Sequence, residues 1–301
     1  IGRLVGYNTG TVSNSDSTSW VTGTSDGGDL VGRNEGVISG VVPRTVIELD
    51  FLTFWPSGDL QAAVGHKAWM DTIAARVLAE TDDYEVSWNV FYAGARREIY
   101  SLVRGGIYDI GVTCPSWSPG IFPLWEGPQY PGDVYRNNAY TMSMAVQSLY
   151  DEFTPLQDEM AAQNLKVMHF WSTGPGYFLM TEGNEVTSLE DFEALPHPIR
   201  AANPASVLTI ETLGAEALYC PMSIALEKFE AGLLDGILCP ADMPKGFGLG
   251  QFLATGTFAP FSYQVMFMKV MNTDTWNALP AEVQTIFDGV NAAWPAYYGQ
   301  M

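Results

Sequence analysis

The chain is short of positive charge. Lys and Arg number 14 against 34 Asp and Glu, for a formal net charge of -20. Charged residues make up only 16%, so the imbalance comes from missing cations rather than from acidic runs. Such a surface repels nucleic-acid phosphates and anionic lipid headgroups, which argues against both as partners. Any anion site must then rest on a local Arg or on backbone N–H groups. Cysteine is scarce too: Cys114, Cys220 and Cys239 fit no zinc or redox spacing. An odd number excludes complete pairing within the chain and leaves one bridge plus a thiol, or three thiols. The histidines, His66, His169 and His197, lie far apart without metal-ligand spacing. No apolar run reaches the roughly 18 residues of a membrane span. The opening IGRLVGYNTG has neither a basic start nor a long apolar core, so no signal peptide is expected within it. Catalytic motifs are missing as well. There is no serine nucleophile elbow, and Gly246–Gly250 lacks the spacing of a nucleotide-binding loop. An enzyme is therefore not expected, nor a cofactor or bound metal.

What is present is apolar bulk. Hydrophobic residues are 47% of 301, enough for two or three units, each with a core. Residues 1–42 differ from the rest in being rich in Gly, Ser, Thr and Asn. LVGYN at Leu4–Asn8 recurs as LVGRN at Leu30–Asn34, and GTVS at Gly10–Ser13 recurs as GVIS at Gly36–Ser39. Both recurrences, 4 to 30 and 10 to 36, are 26 residues apart, a length that one turn of β-solenoid can occupy. The pattern resembles the GLUG repeat of bacterial surface proteins. A Gly/Ser-rich linker is the alternative.

After Pro43 the pattern changes. Val46–Trp55 reads as a buried strand. Trp69, Met70, Ile73, Ala74, Val77 and Leu78 recur at helical spacing. Tyr84–Tyr92 alternates as a strand, Arg97–Gly106 reads as a helix with a glycine stop, and Tyr108–Thr113 is a strand. Strand and helix alternate again through Val167–Trp171, Tyr177–Thr181, Ser188–Leu195, Pro198–Asn203, Val207–Gly214, Ser223–Gly232 and Leu234–Pro240. This order predicts mainly parallel α/β sheets. Gly106 and Gly232 each end a helix just before a buried strand, an echo expected of two similar lobes. Such lobes bind ligands at the carboxyl ends of their strands. Gly174-Pro175-Gly176 reads as a turn near the crossing between them.

Five segments, in this order, resemble the solute-binding proteins of TRAP transporters, the DctP family. They are Ser101–Gly111, Ile121–Gly132, Thr187–Asn203, Thr212–Pro240 and Val270–Phe287. The resemblance covers about residues 45–301 of the sequence. It implies a two-lobed periplasmic binding fold of the type II-like, TRAP class, with residues 45–171 and 257–301 in lobe I and 172–256 in lobe II. It implies a periplasmic or extracytoplasmic receptor that captures a small organic acid for a small and a large integral membrane subunit, without inserting into the membrane itself. A binding protein for sensing, or a surface adhesion protein working through the N-terminal repeats, are the alternatives.

Arg200, in PIRAAN, matches the arginine that in the family grips the substrate carboxylate. Its planar fork offers two N–H groups to two oxygens. Cys239 stands where the family often places Asn, which predicts an apolar wall. One strong cation in apolar surroundings suits an apolar or aromatic monocarboxylate. Trp55, Trp117, Trp171 and Tyr177 are expected to line the pocket, because they lie where strands give way to loops and present flat rings for stacking. Asn203 follows the arginine strand as a hydrogen-bond donor. Glu211 and Met222 are further candidates, facing cleft or core.

Overall fold

The computed structural model describes residues 11–13, 37–39, 44–59, 61–93, 96–127, 138–259, 262 and 265–301. Two compact units are present: residues 1–48 with 73–87, and residues 49–72 with 88–301. In the first, β1 (Thr11–Ser13) pairs in parallel with β2 (Val37–Ser39), with Thr11 opposite Val37 and Ser13 opposite Ser39. The rest of the predicted repeats lies outside the described residues. Arg44 donates to the carbonyls of Leu78 and Tyr84 at 2.8 and 3.1 Å, which anchors the start of the next strand.

The chain continues through β3 (Thr45–Thr53), α1 (Lys67–Glu80), β4 (Tyr84–Tyr92), α2 (Ile99–Arg104), β5 (Ile110–Thr113), α3 (Pro123–Glu126), α4 (Ala139–Glu152), α5 (Thr154–Ala161) and β6 (Leu165–Ser172). Then come β7 (Tyr177–Met180), α6 (Leu189–Glu193), β8 (Ile199–Ala201), α7 (Pro204–Thr212), β9 (Ala217–Tyr219), α8 (Met222–Glu230), β10 (Gly236–Cys239), α9 (Met243–Gly246) and β11 (Thr255–Phe258). It ends with β12 (Met266–Asn272), α10 (Thr273–Ala278), α11 (Ala281–Asn291) and α12 (Trp294–Gln300). A π-helical turn, Gln61–His66, leads into α1.

Two five-stranded sheets result, ordered β4-β3-β5-β12-β6 and β11-β7-β10-β8-β9. They are mixed, which corrects the expectation of mainly parallel sheets. β12 runs antiparallel to both β5 and β6, and β7 runs antiparallel to both β10 and β11. The reason is the chain path: it leaves the first sheet along β6 and returns along β12, so the two run in opposite directions. Thr173–Gly176 is accordingly an extended crossing rather than a turn. Its Thr173 N–H donates to Val265 O at 3.0 Å, and Gly176 O accepts from Ala259 N–H at 3.2 Å.

Local sequence explains the element ends. Ser188 caps α6 in a reciprocal box with Asp191, satisfying helix N–H groups that would otherwise lack partners. Gly106 and Gly232 take φ of 69° and 65°, the left-handed values the sequence requires of them. Asn272 serves two helices at once. Its Oδ1 accepts from Asp274 and Thr275 N–H at the start of α10, while its Nδ2 donates to Val103 and Arg104 carbonyls at the end of α2.

Each sheet has its own core. Ile99, Val103, Trp125, Met142, Val146, Phe170 and Met268 pack beside the first; Met222, Ala225, Phe229, Ile237, Cys239 and Leu249 pack beside the second. The three cysteines are buried and are not joined to one another by disulfides, which decides between the alternatives left by their odd number. Among the described residues no helix is long and apolar enough to cross a membrane.

Candidate functional site

Arg200 is the middle residue of β8, a strand bonded on both sides: it lies opposite Ile237 of β10 and Leu218 of β9. Its side chain is 1% exposed. Nε donates to the Cys220 carbonyl at 3.1 Å, while the buried Nη2 has no partner. Among the described residues no carboxylate forms an ion pair with it. A buried guanidinium without a counter-charge costs several kcal/mol, on the order of what an arriving carboxylate would return through charge-assisted bonds.

A second guanidinium meets this region from the first sheet. Arg96, in the helical turn before α2, is buried, and its Nη2 donates to the Ala202 carbonyl at 2.9 Å. Its guanidinium lies 4.9 Å from the Trp117 ring centre. The neighbouring Arg97 lies 4.4 Å from the ring centre of Tyr219, at the end of β9. Arg96 thus brings a further cation near Arg200, with its Nη2 given to a backbone carbonyl. Arg96 also borders a cavity of about 350 Å³. Phe54, Pro56 and Ala93 complete one side, and Pro221, Met222, Ser223, Leu226, Gly246 and Phe247 the other. Arg200 stands behind the second wall, bonded to Cys220 just before Pro221.

The thiols nearby are held protonated. Burial pushes Cys239 up to about 12, against the opposing charge of Arg200. Burial likewise raises Cys114 to about 11, opposed by its bond to Ser116. Cys220 is raised by burial and lowered by Arg200. This part of the site offers soft, neutral surface rather than thiolate. A carboxyl also lies close to the cavity. Burial raises Asp59 to about 6, opposed by the Gln61 N–H and reinforced by Asp242. Its Oδ2 lies 1.9 Å from where a Cβ on Gly246 would fall, so only glycine fits there.

The predicted pocket residues separate into groups. Met222 lines the cavity, and Cys239 packs behind it. Asn203 is the N-cap of α7, its Oδ1 accepting from Ser206 N–H at 2.8 Å. The three tryptophans are buried among other rings rather than on the cavity. Trp55 and Trp117 lie 3.9 and 4.8 Å from the Phe54 ring, and Trp171 stacks on Tyr298 at 4.3 Å. The Nε1 of each is buried without a partner. Tyr177 pairs with Phe258 at 5.0 Å across β7 and β11, away from the cavity walls. Glu211 is corrected: it stands exposed on α7, because helical spacing turns Ile210 inward instead. Arg96 and Phe54 were missed as site residues, although both lie at the carboxyl end of a strand, the position that singled out the tryptophans.

A separate basic cluster lies under the first sheet. Lys269 is fully buried, its Nζ 3.7 Å from the Trp69 ring centre and without a hydrogen-bond partner. His169 sits opposite it in register, and His66 bonds the Tyr298 hydroxyl through Nδ1. Burial drives the pKa of all three basic groups well down, and for the histidines the Lys269 charge adds to it.

The family model for DctP, bacterial extracellular solute-binding protein family 7, matches residues 90–296. Among solved structures, the chain is similar to a TRAP solute binding protein of an unidentified marine microbe, specific for aromatic acid ligands and bound to 3-hydroxybenzoate. That likeness has a TM-score of 0.74 and 21% identity, over 85% of this chain and 78% of the other. A TRAP protein of Rhodoferax ferrireducens with copurified benzoate gives 0.73 and 21%, over 84% and 77%. One of Bordetella bronchiseptica with (R)- and (S)-mandelate gives 0.69 and 20%, over 84% and 81%. At these identities the likeness establishes the fold, two α/β sheets of the periplasmic binding type.

Proposed function

Because the chain belongs to family 7 of the bacterial extracellular solute-binding proteins, the DctP family, we propose that it captures an aromatic or other apolar monocarboxylate between two lobes and delivers it to the membrane subunits of a TRAP transporter. Family members are extracytoplasmic receptors and not enzymes. Lobe I is residues 45–171 with 257–301, around the first sheet; lobe II is residues 172–256, around the second. The single observation that carries the ligand class is Arg200, buried with an unbonded Nη2 and, among the described residues, no carboxylate paired to it. The cavity walls support an apolar body: Phe54, Met222, Leu226 and Phe247 offer rings, sulfur and methyls. The 350 Å³ beside them suits a small acid of one ring. The acids bound by the similar structures, 3-hydroxybenzoate, benzoate and mandelate, are of this kind.

Residues 1–42 are read as GLUG-like solenoid turns. The parallel pairing of Thr11 with Val37 supports this, since its spacing equals the 26-residue repeat.

Thermal-shift titration with benzoate, mandelate and succinate tests the receptor reading. Benzoate or mandelate at a hundred times Kd is expected to add about 2.7 kcal/mol of stability, and Arg200→Ala to abolish the gain. Stabilisation by succinate alone would refute the ligand class. An unchanged response in Arg200→Ala would refute the site.

A further inference from the structure

Arg96 and Arg97 are adjacent in sequence, leave the first sheet together, and both engage the second. Arg96 donates to Ala202 O at 2.9 Å, and Arg97 lies over the Tyr219 ring at 4.4 Å. The two residues they reach bracket Arg200. Ala202 follows it at the end of β8. Tyr219 ends the neighbouring strand β9 and precedes Cys220, whose carbonyl receives Arg200 Nε. The grip is therefore on both chain segments that hold the carboxylate-binding arginine.

The chemistry of the grip suits a contact made and broken repeatedly. A carbonyl oxygen and a ring face are uncharged acceptors, so these two contacts do not themselves change with pH. Trp117 lies 4.9 Å from the Arg96 guanidinium on the first-sheet side, so the group can stack there while its N–H points across. Lysine lacks the plane needed to do both.

We propose that Arg96 and Arg97 are the latch of the cleft, positioning residues that hold the closed state by gripping β8 and β9 beside Arg200. The proposal rests on the receptor reading, in which the lobes close over an acid at Arg200. A contact made only between closed lobes holds part of the unliganded population closed as well, and it must break before an enclosed ligand can leave. It therefore governs departure rather than arrival.

Benzoate is the probe, on the full chain, with tryptophan fluorescence read by stopped flow. In Arg96→Met the dissociation rate is expected to rise about tenfold or more, in keeping with a lost charge-assisted bond, while association changes by less than about threefold. Arg96→Lys should recover only part of the difference. Tyr219→Phe should be silent, and Tyr219→Leu should add nothing to Arg97→Leu. Without ligand, X-ray scattering should show a larger radius of gyration for Arg96→Met/Arg97→Leu than for wild type, at an unchanged melting temperature. An unchanged dissociation rate, or a loss confined to association, overturns the latch. So does an unchanged radius of gyration in the double variant. If wild type does not bind benzoate, the ligand reading fails on its own, and the scattering comparison still decides the latch.

Discussion

Lys269 is a liability that the fold tolerates. Its amine is buried against Trp69 with no acceptor, so folding strips its water without replacement. Methionine has a similar length and no donor. Lys269→Met is expected to gain about 1–3 kcal/mol, the penalty of an unsatisfied buried group, measured by chemical denaturation at neutral pH. The pH dependence gives a second signature. The pKa of Lys269 is depressed in the folded state, so the unfolded chain binds more protons up to about pH 10.4. Wild-type stability should rise with pH over that window, and the variant should lose the rise. His66 and His169 are depressed too, and they retain the same sign of slope below about pH 6.5 in both proteins. Single candidate residues were legible in the sequence where a motif marked them, and not where tertiary contact alone brings them in. Arg200 sits in a short strand within a motif that resembles a family. Arg96 sits in a run, Arg96-Arg97-Glu98, that reads as a solvated helix start. Its partners Trp117 and the Ala202 carbonyl are distant in sequence, and no local pattern announces them. Trp55 and Trp171 failed for a related reason. Being near a strand end says nothing of which face a ring points to, and both turn into the aromatic core.

At the scale of elements, punctuation was the most legible feature. The glycines at 106 and 232 end helices as their positions require, and Ser188 caps its helix. What the spacing did not disclose is that one side chain joins two elements. Asn272 lies in the Met-Asn segment that carries part of the family resemblance, yet its two-ended role depends on α2 and α10 meeting end to start. Asn272→Ala is expected to cost about 2–3 kcal/mol, a lost cap plus two lost bonds to carbonyls, measured by urea denaturation. Asn272→Asp should be no better than Ala. It keeps the oxygen for α10 but turns a second oxygen toward the carbonyls of Val103 and Arg104.

At the scale of the molecule, alternation of strand and helix predicted two α/β bodies, and two five-stranded sheets flanked by helices are present beside the short β1-β2 pair. Strand direction was not legible, because periodicity reports which side chains are buried and not which neighbour a strand finds. The first sheet shows this most clearly. Its fourth strand, β12, enters between β5 and β6 although it begins almost a hundred residues after β6 and about 150 after β5. Removing residues 266–301 should therefore unfold the first sheet rather than shorten it, seen as loss of cooperative melting by circular dichroism.

The interleaving of β12 has a consequence for how the chain is made. During synthesis the residues of β3 to β6 emerge first, but the seat between β5 and β6 stays empty until Asn272 has left the ribosome. Until then the early strands expose Met268's future neighbours and an unpaired edge on each side of the gap. The second sheet has no such wait, since β7 to β11 are contiguous. A chain that completes its first sheet last remains unfinished for most of its translation. Until β12 arrives its apolar strands stay open to wrong pairing, the hazard of any sheet closed by a strand distant in sequence.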